Sequence, residues 1–186
     1  MSNVLALQLR SRVAHPVIVD AMMILFGSLF IALTAQITVP FFPVPFTGQT
    51  LSILLIGASF GSKRGALTVI AYLLEGSMGL PFFAGGAVGF VHLIGPTGGY
   101  LLGFILSAYV MGLLSEKGFD QKFKTAIPLF LIGQICIYTL GLTWLSHFVG
   151  FENVFKVGFF PFVLGEIIKT TLAVILLPVA WKFIQK

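Results

Sequence analysis

In the stretch FVLGEIIKTTLAVIL (162–176), Glu166 and Lys169 stand three residues apart inside an otherwise apolar run. On a helix that spacing puts both on one face, where the two charges partly neutralise each other. An ionisable side chain at the centre of a membrane helix costs roughly 2.5–3.5 kcal/mol on insertion scales, so the pair needs a physical reason. Two readings stand. As structure, it is a buried ion pair that specifies packing, although such pairs rarely add net stability over apolar residues of similar size. As function, Lys169 meets a carboxylate or carbonyl oxygen of a polar or zwitterionic ligand while Glu166 accepts from its N–H donors. Gly165, just before them, would let that ligand approach the backbone.

Other polar groups are uncharged. Thr47, Gln49 and Thr50 follow a proline-rich segment and offer donors and acceptors, though Thr47 equally suits a plain N-cap. Tyr100 follows the turn sequence GPTGG (95–99); it reads either as a ligand contact or as a tyrosine of the interfacial belt. Gly85 and Gly86 are able to present backbone N–H groups to a ligand, a weak signal by itself. His15, His92 and His147 lack the carboxylate or thiol spacing of a metal site and read as core or interfacial residues. Cys136, the single cysteine, lies in an apolar run and reads as an inert buried thiol. Neither G-x-x-x-x-G-K-[ST] nor H-E-x-x-H occurs, so the sequence carries no phosphate loop and no zinc-protease helix. No inverted repeat of a secondary transporter is visible either. A pocket without an engine borrows its energy from a partner.

The elements that must position these groups are set by composition. Of 186 residues, 9% are charged, against roughly 25% in soluble domains, and 58% are hydrophobic, with a mean hydropathy of +1.05. A soluble globule of this size leaves about a third of its surface exposed and has nowhere to hide so much apolar area. Soluble enzyme, disordered tail and disulfide scaffold are excluded; the sequence is that of an all-α integral membrane protein. Three runs of the ~20 apolar residues that cross a bilayer are clear, 17–38, 126–149 and 159–183, and 98–114 is near the lower limit. Two shorter runs, 51–60 and 65–74, flank Gly61-Ser62-Lys63-Arg64 and predict two helices joined by a tight turn, each extending a little, toward Thr47 and Glu75. The expectation is one six-helix membrane domain over 1–186, without a soluble catalytic domain and without a cleavable signal, since the first apolar run is too long for one.

The charges agree with that count. With a cytoplasmic N-terminus, the tail (Arg10, Arg12), the turn (Lys63, Arg64), the fourth-to-fifth connection (Lys117, Lys122, Lys124) and the C-terminus (Lys182, Lys186) hold nine of the eleven basic residues on the inner side. Lys156 falls outside and Lys169 within the last helix, so the positive-inside rule puts both termini in the cytoplasm. The net charge of +5 therefore records orientation rather than nucleic-acid binding. The outer connections 38–50 and 76–99 carry no charge, and the second holds eight of the 21 glycines. Irregular backbone at membrane depth survives only where protein buries it or where it lines a cavity. These loops are expected to fold inward over an outward-facing pocket; resting in the headgroup layer is the plainer alternative. Ser28 and Ala32 in the first helix, four residues apart, form a small-residue pattern suited to close helix packing.

Four stretches together carry a family likeness: AQITVPFFPVPFTGQTL (35–51), GSKRGALTVIAYLLEGSMGLPFFAGG (61–86), GPTGGYLLGF (95–104) and GEIIK (165–169). With them the chain resembles the biotin-specific substrate-binding components, the BioY family, of energy-coupling factor transporters. The resemblance implies a six-helix subunit that captures biotin from outside and joins a transmembrane scaffold protein and two ATPase subunits that drive uptake. It implies a docking face of small residues on the first helix, matched by Ser28 and Ala32. It makes Phe46, Thr47, Gln49, Gly85, Gly86, Tyr100, Glu166 and Lys169 the pocket residues, with no cofactor and no metal. Two positions depart from the family's pattern: Glu166 stands where aspartate is usual, and Gly48 where an apolar residue is usual. Biotin brings an apolar thioether ring and chain, a ureido group and a carboxylate, which an aromatic pocket with a few convergent polar groups suits. Which end meets Glu166 and Lys169 is open, the ureido group being the better chemical match. A subunit of the same class for another vitamin, and a membrane enzyme or channel, are the rival functions.

Overall fold

The computed structural model describes residues 4–5 and 15–184. Arg10, Arg12 and Lys186, which the charge argument uses, lie outside the described residues. Helix α1 (Pro16–Ala35) opens with proline at its first turn, where the missing N–H costs nothing. Two short strands, β1 (Thr38–Val39) and β2 (Phe46–Thr47), pair antiparallel with Thr38 opposite Thr47. Helices α2 (Gln49–Phe60) and α3 (Ser62–Ser77) follow, then a 3-10 turn at Ala84–Gly86 and a single-turn helix α4 (Val91–Ile94). Helices α5 (Gly98–Ser115), α6 (Phe123–Val149), α7 (Phe151–Gly158) and α8 (Val163–Ile184) complete the described chain. Among the described residues four helical stretches, Pro16–Gln36, Gly98–Ser115, Phe123–Val149 and Val163–Phe183, are long and apolar enough to cross a membrane, and Gln49–Phe60 is a shorter apolar helix.

Helix α5 is the hub, packing against α6, α2 and α3. The spanning window of α5 is 61% buried, against 22% for α1 and α8, so those two helices stand at the outside of the bundle. Close approach is made with glycine. A Cβ on Gly57 would stand 2.8 Å from the Ala108 Cα, and one on Gly65 3.1 Å from the Gly57 Cα, so α2, α3 and α5 meet backbone to backbone. The outer surface is the reverse of a soluble protein's: Val17, Leu33, Ile135, Leu164 and Phe183 are all exposed. That belt has its natural solvent in hydrocarbon.

Polar groups fasten one end of the bundle. Gly61 makes the α2–α3 turn at a φ of 83°, a region that favours glycine. Glu116 Oε1, just beyond α5, accepts from the Ser62 backbone N–H (2.8 Å) and hydroxyl (2.7 Å), placing a carboxylate at the N-terminus of α3. Arg64 grips Asp20 through two nitrogens, at 2.7 and 3.1 Å, and so holds α1 against α3.

Three expected boundaries shift, each for a local reason. The run 17–38 stops at Ala35, because Thr38 is drawn into the pairing with Thr47. The run 65–74 begins at Ser62, where Glu116 supplies the missing cap. The run 159–183 is not one helix. Residues 159–162 form a turn, Phe159 sitting at φ −129° and ψ −63°, and α8 begins at Val163. Pro161 explains the break, since proline disfavours helical backbone at the residue before it.

Candidate functional site

A cavity of about 400 Å³ opens among the N-terminal ends of α2, α5 and α8, the segment 42–47, the segment 83–97 and the middle of α6. The two apolar, irregular connections thus line a cavity, as backbone of that kind must if it lies at membrane depth. Its wall is aromatic. Phe46 stacks on Phe162 with ring centres 6.2 Å apart and planes 6° apart. Tyr100 meets Tyr138 edge-on at 6.0 Å, and Tyr138 meets Phe159 edge-on at 5.1 Å.

The polar pole of this cavity comes from α8. Lys169 Nζ donates to Glu166 Oε1, to the Thr47 carbonyl (2.7 Å) and to Thr50 Oγ1 (2.6 Å), which uses all three of its N–H bonds. The Phe46 ring centre lies 4.2 Å from the same nitrogen, adding a cation–π contact. Glu166 Oε1 also accepts from Thr50 Oγ1 at 2.9 Å, and its Oε2 from Gln134 Nε2 at 2.6 Å. Both charged residues are 8% exposed. Spaced i, i+3, they share a face, and both are satisfied only because the β2–α2 corner and α6 bring neutral partners to them.

Of the residues singled out from sequence, Phe46, Thr47, Gln49, Tyr100 and Glu166 stand on the cavity wall. Lys169 does not; it lies one layer behind, against the Phe46 ring. Gly85 and Gly86 also stand off the wall, which their neighbours Ala84 and Ala87 form. Both glycines have positive φ, 66° and 79°, and the Gly86 N–H donates to the Phe83 carbonyl, so they shape the turn. The Tyr100 hydroxyl donates to the Gly158 carbonyl at 2.7 Å, fixing α7 to α5 and leaving the ring to face the cavity. The space beside Gly165, read as room for a ligand, is taken by protein: a Cβ there would come within 2.2 Å of Phe46. Ser28 and Ala32 are buried, and the Ser28 hydroxyl donates to the Leu25 carbonyl. The exposed face of α1 instead carries Val17, Met22, Phe26 and Leu33.

Gln134, Phe162, Tyr138 and His92 were not singled out as site residues by sequence. Gln134 had a usable signal, an amide in the middle of the apolar run LIGQICIY. The aromatic residues had none, being three among many rings. Among the described residues no cluster of histidine, cysteine and carboxylates suited to a metal ion is present.

The profile of the BioY family matches residues 6–186. The chain is 40% identical over 152 residues to a probable biotin transporter BioY of Pyrococcus horikoshii, covering 80% of this chain and 90% of that protein. It is 42% identical over 147 residues to a biotin transporter BioY of Thermotoga maritima, covering 78% and 86%. The fold is similar to the crystal structure of the S-component for biotin from an ECF-type ABC transporter. The TM-score is 0.79 at 25% identity, over 94% of this chain and 95% of that one. With that sequence match and that fold, the chain belongs to the BioY family.

Proposed function

We propose that the chain is a biotin-binding membrane subunit of an ECF-type ABC importer. It captures the vitamin from outside a prokaryotic cell and hands it to partners that supply the energy. The observation that carries this reading is the cavity: about 400 Å³, within the ~300–1,000 Å³ of small-molecule sites, aromatic on its walls and polar at Glu166. The ureido group of biotin supplies two N–H donors, and Glu166 is the wall's acceptor for them. Lys169, Thr50 and Gln134 hold that carboxylate in place.

The whole of the described chain acts in this reading as one six-span unit with both termini in the cytoplasm. The N-terminal ends of α2, α5 and α8, which bear the cavity, lie opposite the first turn of α3, which bears Lys63 and Arg64, and the α5–α6 connection, which bears Lys117 and Lys122. The cavity then opens outward. A transmembrane scaffold and two ATPase subunits complete the importer, and the subunit itself performs no chemistry. Helix α1 is the docking element: its exposed apolar side meets the scaffold, while buried Ser28 and Ala32 set how closely it lies on the bundle.

Isolated protein in detergent, heated with a panel of vitamins, tests the reading. Biotin at a hundredfold over its Kd should stabilise by about 2.7 kcal/mol and raise the melting temperature, while the other vitamins leave it unchanged. A shift produced by a different vitamin, with none from biotin, would replace the proposal.

A further inference from the structure

We infer that His92 is the carboxylate-receiving group of the cavity, so that the site prefers an acid to its neutral amide. The inference rests on the reading of the cavity as a biotin site. A carboxylate buried in an apolar cavity needs a partner. Among the described residues on the cavity wall, His92 is the one side chain able to carry positive charge. Lys169 is unavailable, because its three N–H bonds end on Glu166, Thr47 and Thr50 and the Phe46 ring covers it. At that end the wall shows the ligand a carboxylate, Glu166, which accepts N–H donors and repels a second anion.

His92 is held but not spent. Its carbonyl accepts from Thr97 Oγ1 at 3.2 Å, and its ring lies against Phe83 with centres 5.6 Å apart. Phe83 is set edge-on to Tyr72 at 5.7 Å, and Tyr72 is hydrogen-bonded to Gln49. The backbone and ring are therefore positioned, while the imidazole has no hydrogen-bond partner among the described residues. Neutral, it offers one N–H donor; protonated, it offers two and a charge. It also enters from a different wall: α4 packs on α3 and α5, whereas α8 packs on α2 and α6. A ligand with N–H donors at one end and a carboxylate at the other spans the two groups.

The test is equilibrium binding of biotin and of biotin amide to purified wild-type, His92→Gln and His92→Lys proteins. Wild type should prefer biotin. H92Q should bind biotin about tenfold more weakly, the loss expected for one charge-assisted hydrogen bond. It should bind the amide as wild type does, which also shows that the variant is folded. H92K should retain the preference for the acid. Equal loss of both ligands in H92Q, or no loss of either, overturns the assignment. So does a wild-type protein that binds acid and amide alike, while leaving the biotin reading intact. A wild-type protein that binds neither ligand overturns both.

Discussion

At the scale of single residues, the contribution of Lys169 is indirect. It touches no cavity space, yet it supplies the positive charge beside Glu166 and ties the Thr47 carbonyl to α8. Removing one partner of a buried pair leaves the other uncompensated, at a cost of roughly 3–5 kcal/mol. Lys169→Ala should therefore lower the melting temperature and weaken biotin binding tenfold or more, read by calorimetry on the same preparation. The double variant Glu166→Gln/Lys169→Met, which buries no charge, should recover the melting temperature and not the affinity. Recovery of both would make the pair purely structural. Gln134→Leu should weaken binding in the same direction by withdrawing the 2.6 Å bond to Glu166 Oε2, and wild-type affinity in that variant would remove Gln134 from the site. The charged pair was legible in the sequence because two charges in an apolar helix are costly enough to demand a partner or a ligand. Thr50 and Gln134 were less so: their role depends on which helices stand beside α8, and that is a tertiary fact.

At the scale of elements, glycine sets the distances and one buried acid closes an end. Gly57→Val pushes branched carbons into the Ala108 backbone and should destabilise by about 1–3 kcal/mol, seen as a lower melting temperature with or without ligand. Asp120, fully buried between α5 and α6, accepts from Trp181 Nε1 of α8 at 2.6 Å, while its Oδ1 has no partner among the described residues. Burial pushes its carboxyl from 3.8 up to about 6, against the opposing pull of the Trp181 hydrogen bond. The folded protein then holds more protons than the unfolded chain between those two values. Its stability should fall as pH rises through that window and level off above it. Asp120→Asn keeps an acceptor for Trp181 and cannot ionise, so it should abolish that slope and be more stable at neutral pH by up to roughly 3 kcal/mol. A variant whose melting profile follows wild type across the window would show that Asp120 does not titrate there. Long helices were legible at this scale, since a run of apolar residues has one solution in a bilayer. The start of α8 at Val163 was hidden because Phe159–Phe160–Pro161–Phe162 is as apolar as the helix it precedes.

At the scale of the molecule, helix length and cavity are one problem. Helix α2 has 12 residues and α3 has 16, so they rise about 18 and 24 Å, short of the ~30 Å hydrocarbon core. The missing depth above α2 is filled by the β1–β2 corner and its prolines, and that above α3 by the segment 83–97, the same segments that wall the cavity. A cavity is thus made by stopping two helices early and letting the two loops line the gap, and in the proposed orientation it faces outward. Composition raised the expectation that such loops line a cavity, beside the alternative of a headgroup layer, but not which rings they would bring together. The arrangement predicts a definite pattern of access. In cells carrying a Cys136→Ala background, an impermeant thiol reagent should modify Val88→Cys, whose side chain is exposed on the segment 83–97. It should reach Lys63→Cys and Lys122→Cys only after the membrane is opened, because those positions lie at the other end of the bundle. Added biotin should slow modification at Ala87→Cys, which is on the cavity wall, more than at Val88→Cys, which is not. Labelling of Lys63→Cys in intact cells would invert the topology, and equal protection at both loop positions would mean that the segment closes as a whole instead of lining a site already formed.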